Sequence, residues 1–195
     1  MKALKRILAG LCAVLLTTTA AVSLAGCNII QLGRALAGNQ AADEEKTVTS
    51  TDGRYRITVP GDWEDEMEEL GDQAVLAVGN RLQEKYLVVL TESKEDFESS
   101  VTLEDYRNAV IGQMEDTVED ALVSQAEPFS VNGRTGYLTE VRGTMEGINI
   151  TYWVTCLETN TDFVQITGWT LRSREEKNGE EIRRVEASFQ KASKV

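Results

Sequence analysis

Residues 135–144, 148–157 and 162–171 are three long stretches rich in Thr, Val, Ile, Tyr and Trp, separated only by Glu146-Gly147 and Thr159-Asn160. Strands joined by connections this short can only turn back on themselves, so the second half of the chain must hold an antiparallel meander. Parity then sorts the side chains. Ile150, Tyr152, Val154 and Cys156 alternate with Asn149, Thr151, Trp153 and Thr155, so Cys156 is expected to point into a core. Trp153, on the other parity, belongs either on a partly exposed face or under a helix.

The first half supplies more of the same sheet. Tyr55, Ile57 and Val59 alternate with Arg54, Arg56 and Thr58, and Pro60-Gly61 stops that strand. Residues 74–78 and 85–91 read as a pair around a loop at 80–84. In the second of these both parities are apolar (Leu87, Val89; Tyr86, Val88, Leu90), which places it inside a sheet covered on two sides. Thr102 followed by Asp105 is a variant capping box. Leu103, Tyr106, Val110, Met114 and Val118 behind it follow the helical period. Residues 121–126 suggest a short strand and 128–133 a turn. A last helix, opened by Asn178 and Glu181, carries Ile182, Val185 and Phe189 inward. The expected fold class is α+β, a mainly antiparallel sheet sandwiched by helices.

The N-terminus is of another kind. Lys2, Lys5 and Arg6 precede an apolar run at 7–16, too short for a spanning helix of about 20 residues, which marks a signal peptide. It ends in Leu24-Ala25-Gly26-Cys27, which resembles the lipobox of bacterial lipoproteins. That resemblance implies cleavage between Gly26 and Cys27 and a lipid on the Cys27 thiol. The expected division is a signal peptide at 1–26, the lipidated cysteine and a flexible tether at 27–46, and one globular domain at 47–195. Such a tether spans on the order of 25 Å, which keeps the domain close to the extracytoplasmic face of the cell membrane.

Charge and missing chemistries narrow the function. The whole chain carries 20 Lys+Arg against 32 Asp+Glu; with 1–26 removed, 17 remain against 32, a net charge of −15. An acidic domain of this kind is not a nucleic-acid binder, which would present cations to phosphates. The chain has no histidine, so His-based nucleophilic triads and HExxH zinc sites are excluded. Cys12 leaves with the signal and Cys27 takes lipid, so Cys156 has no intramolecular disulfide partner. No glycine-rich phosphate loop occurs, and no cofactor is implied.

Several residues together carry a further resemblance. Val59-Pro60-Gly61-Asp62-Trp63, the Phe129-Ser130-Val131-Asn132-Gly133 turn before the meander, Gly168-Trp169-Thr170 and a terminal helix ending near Ser188-Phe189 are similar to the PsbP-like/DcrB-like superfamily, over about residues 47–192. The resemblance implies an α/β/α sandwich, often on a small bacterial lipoprotein. It also implies accessory or binding roles. Those roles are diverse, and fold alone does not transfer function.

Two clusters are candidate sites. Asp62, Glu64, Asp65 and Glu66 form the densest part of an acidic run, a solvated face or a weak cation site. Trp63, Trp153 and Trp169 are either core or the lining of a shallow aromatic groove. The expected function is a non-enzymatic binding or accessory domain for an envelope protein or ligand. The alternative is a carboxylate- or metal-dependent hydrolase of the envelope.

Overall fold

The computed structural model describes residues 44–192. The signal, Gly26, Cys27 and nearly all of the expected tether lie outside the described residues. The first strand, β1 (Glu45–Thr49), already begins in the last two residues assigned to that tether. It was hidden because its only apolar residue is Val48. As an edge strand with mostly exposed faces it has no alternation to read.

β1 pairs antiparallel with β2 (Tyr55–Pro60), and the two-residue β11 (Gln190–Lys191) closes a three-stranded sheet on the other side of β2. The main sheet has the order β3-β4-β5-β10-β9-β8-β6, formed by Glu64–Asp65, Leu76–Asn80, Lys85–Ser93, Asp162–Leu171, Ile148–Glu158, Arg134–Met145 and Glu119–Val123. β7 (Glu127–Val131) pairs with the first half of β8. All of these pairings are antiparallel. The meander stands as its short connections require, and the Glu146-Gly147 turn has φ of 49° and 79°.

Three α-helices occur among the described residues: α1 (Met67–Leu70), α2 (Leu103–Thr117) and α3 (Glu175–Ala187). The capping box of α2 forms. Thr102 N donates to Asp105 Oδ2 at 2.9 Å, and Asp105 N donates to Thr102 Oγ1 at 3.2 Å. One face of the main sheet is covered by α3 and the small sheet. There Tyr55, Ile57 and Val59 meet Leu87, Val89, Val164, Ile166, Ile182 and Val185. The opposite face is covered by α2, over Tyr152, Val154 and Cys156, and by α1, over Ala77, Val88 and Leu90. β5 is therefore central and buried on both faces, as its apolar run implies.

Three local expectations are corrected. Residues 127–131 are strand rather than turn, and the reversal is confined to Asn132-Gly133, with φ of 45° and 78°. Pro128 is tolerated there because β7 lies at the sheet's margin. β6 starts two residues earlier than read, with Asp120 at φ 53° where its register shifts. The last helix starts at Glu175, a turn before Asn178. Instead of capping the helix, the Asn178 amide is buried and donates at 2.9 Å to both Gln83 O and Thr170 Oγ1. No helix among the described residues is long and apolar enough to cross a membrane.

Candidate functional site

The acidic run separates as soon as it folds. β3 turns Glu64 and Asp65 outward, and Asp65 Oδ1 accepts from Met67 N at 2.8 Å. Glu66, expected on a solvated face, is 1% exposed and takes the Arg81 guanidinium in a two-pronged contact at 2.8 and 2.5 Å. Asp62 Oδ2 accepts from Asn80 Nδ2 at 2.7 Å. Asp62, Asp65 and Glu66 thus face different partners. Among the described residues no group of three or more acids, cysteines or histidines converges as metal ligands would. Asp62, Glu64, Asp65 and Glu66 do not assemble a cation site.

The tryptophans are divided by the sheet itself. Trp63 and Trp153 are 0% and 1% exposed, on the face beneath α3. Trp169 has the opposite parity and lies half-buried on the other face, stacked on Tyr86 with ring centroids 5.5 Å apart. The three therefore line no common groove. Trp63 instead belongs to a buried polar knot: its Nε1 donates to Glu181 Oε1 at 2.7 Å, and the buried Lys85 ammonium pairs with the same carboxylate and lies 5.6 Å from the Trp63 ring. Cys156 sits in the α2 core, and burial pushes its thiol up to about 12, far from a reactive thiolate.

At one end of the domain the small sheet meets the main sheet around a buried carboxyl. Both Asp162 carboxylate oxygens accept from Arg54 Nη1, at 2.9 and 2.8 Å, and Oδ2 also accepts the Tyr55 hydroxyl at 2.6 Å and the Thr161 hydroxyl at 2.5 Å. Burial acts to raise its pKa, but the hydrogen bonds from Arg54, Thr161 and Tyr55 prevail and hold it below the ordinary 3.8.

Beside this cluster opens a pocket of about 200 Å³. Its floor is Tyr55, Thr159 and Phe189, with the Tyr55 and Phe189 rings stacked at 5.0 Å. Its rim is Asn132, Arg134, Gln190 and Lys191. The lining holds two cations and an aromatic stack, but no carboxylate and no thiol. None of its residues was singled out by sequence. The rim residues are mostly exposed and polar, with no periodicity, and Tyr55 and Phe189 read only as core. The short chain distance from Asn132-Gly133 to Arg134 was the available signal.

The described residues thus form an α+β sandwich with a pocket where its two sheets meet. No family model matches the chain, and no curated protein matches it. Its architecture is PsbP-like. The solution structure of cyanobacterial PsbP (CyanoP) from Synechocystis sp. PCC 6803 superposes with a TM-score of 0.54 at 16% identity, covering 86% of this chain and 98% of that one. The crystal structure of LpqN, described as involved in cell envelope biogenesis of Mycobacterium tuberculosis, matches with a TM-score of 0.54 at 10% identity, over 77% of this chain and 91% of that one. A Mog1 mutant matches with a TM-score of 0.50 at 14% identity, over 77% and 97%. At these identities the likeness concerns the fold.

Proposed function

We propose that the protein is a lipoprotein anchored through Cys27 at the extracytoplasmic face of the cell membrane, and that its domain is a non-enzymatic binding or accessory module for an envelope protein or ligand. The observation that carries this reading is the pocket between the two sheets, ligand-sized and free of carboxylate or thiol. Several groups that could do chemistry are engaged in structural contacts: Asp162 by Arg54, Glu66 by Arg81, Glu181 by Lys85, and Cys156 inside the core. A carboxylate- or metal-dependent hydrolase would need convergent acids facing a cleft, and no observation favours one. The fold shared with LpqN, an envelope-biogenesis protein, supports an envelope role, and the Leu24-Ala25-Gly26-Cys27 segment supports the anchor.

Incorporation of a photo-crosslinking residue at Asn132 in intact cells tests the proposal. A reproducible adduct with an envelope component, lost when Cys27 is replaced, is expected. Only background labelling would overturn it.

A further inference from the structure

The pocket's two cations differ from five ion-paired arginines of the domain. Arg54, Arg81, Arg142, Arg174 and Arg184 each lie in an ion pair with a carboxylate. Arg134 and Lys191 are exposed, and neither joins an ion pair with a described residue. In a chain where acids outnumber bases 32 to 20, two unpaired cations bracketing one cavity are a local reversal of the domain's charge.

Their positions follow from the topology. Lys191 of β11 is directly opposite Tyr55 of β2, so the two side chains share the face of the small sheet that looks onto the pocket. Arg134 is the first residue of β8 in the main sheet, held by the Asn132-Gly133 turn, whose positive φ values fix the β7–β8 hairpin. One cation is therefore delivered by each sheet. Behind the floor, the Asp162 carboxylate is already countered by Arg54 and bound by the Tyr55 hydroxyl, which leaves the rim cations to set the field at the mouth. A volume of about 200 Å³ corresponds to roughly six or seven waters of liquid volume, enough for one small organic molecule.

We propose that this pocket binds a small soluble organic anion, whose carboxylate or phosphate head lies between Arg134 and Lys191 above the floor formed by Tyr55, Thr159 and Phe189. This deepens the reading of the domain as a binding module and rests on it.

Calorimetric titration of the full-length protein in detergent with benzoate and phenyl phosphate, against benzyl alcohol as the uncharged control, tests the site. At least one of the two anions is expected to bind, more weakly at high salt, and benzyl alcohol is not. The double variant Arg134→Ala/Lys191→Ala should lose at least about tenfold in affinity, while Lys177→Ala, outside the pocket, should leave it unchanged. Because both rim side chains are exposed, thermal unfolding of the double variant should match wild type. Failure of both anions to bind, equal binding by the double variant, or a response to phosphatidylglycerol vesicles with none to either soluble anion would overturn the proposal. Those results leave the tethered binding module standing if the intact-cell adduct at Asn132 is still formed.

Discussion

The carboxyl group of Glu186 is sealed between α3 and the sheet, where its Oε1 accepts the amide N–H of Gly168 at 3.2 Å. Thr155 Oγ1 donates to the other oxygen at 2.7 Å. Burial pushes this carboxyl up to about 8, despite those hydrogen bonds and the nearby Arg183.

Glu186 consequently makes folding take up a proton. In the unfolded chain it ionises near its ordinary 4.5, whereas folded it keeps the proton until about pH 8. The folded state binds more protons across that window, so this group makes stability fall as pH rises from about 4.5 to 8. Glu186→Gln keeps the shape and removes the titration. Urea unfolding should show the variant more stable than wild type at pH 8, by on the order of 2 kcal/mol, with the difference closing towards pH 4.5. Parallel pH profiles for the two proteins would contradict this.

Gly168 has no room for a methyl group. A Cβ there would lie 2.2 Å from Cγ2 of Ile182 and 3.0 Å from the Glu186 carboxylate oxygen. Ile182 is fully buried and cannot swing away, so α3 would have to lift from the sheet. Gly168→Ala should cost about 1–3 kcal/mol in denaturant unfolding. Gly133→Ala is a different case, strained by φ of 78° but with open space at the Cβ, and should cost less.

Asp162 titrates in the opposite sense to Glu186. Its pKa is held below the ordinary 3.8, so it stabilises the fold above that pH and the contribution disappears as pH falls through its lowered value. Asp162→Asn retains one acceptor oxygen but loses the charge that Arg54 and the Tyr55 hydroxyl bind. A loss of about 1–3 kcal/mol at pH 7 is expected, shrinking in strong acid. Acid-titrated unfolding curves of the two proteins should converge at the acid end. The same variant should also loosen the pocket floor and lower anion affinity.

For the anchor, the decisive comparison is phase partitioning. Full-length protein expressed in a bacterium should enter the detergent phase after cleavage before Cys27. Cys27→Ala should accumulate uncut or appear in the aqueous phase. Identical partitioning and identical mass, apart from the substitution, would refute lipid attachment.

Much of the architecture was legible because it is written in local pattern. Strands at 148–157 and 162–171 need only alternation and a short connector to declare themselves. β5 announces its central position by being apolar on both parities, and the Thr102–Asp105 box marks the start of α2. Where pattern is absent the reading failed. β1 is nearly all polar, β7 contains a proline, and Asn178 resembles a helix cap although its amide bridges Gln83 and Thr170. The acidic run illustrates the same limit, since Glu66 and Glu64 look alike in sequence but one is enclosed against Arg81 and the other exposed.

By itself, then, the sequence determined an acidic α+β domain with a meander and a core thiol at Cys156, behind a segment at Leu24–Cys27 that resembles a lipobox. Tertiary structure alone decided that the three tryptophans fall on two faces, that Glu186 is enclosed, and that Tyr55, Arg134, Thr159, Phe189 and Lys191 meet around one cavity. The physical reason is that periodicity reports which side of an element is apolar, a property of neighbours in the chain. Which polar side chains become enclosed, and which cations are left without a carboxylate, depends on contacts between segments a hundred residues apart, and no local pattern records them.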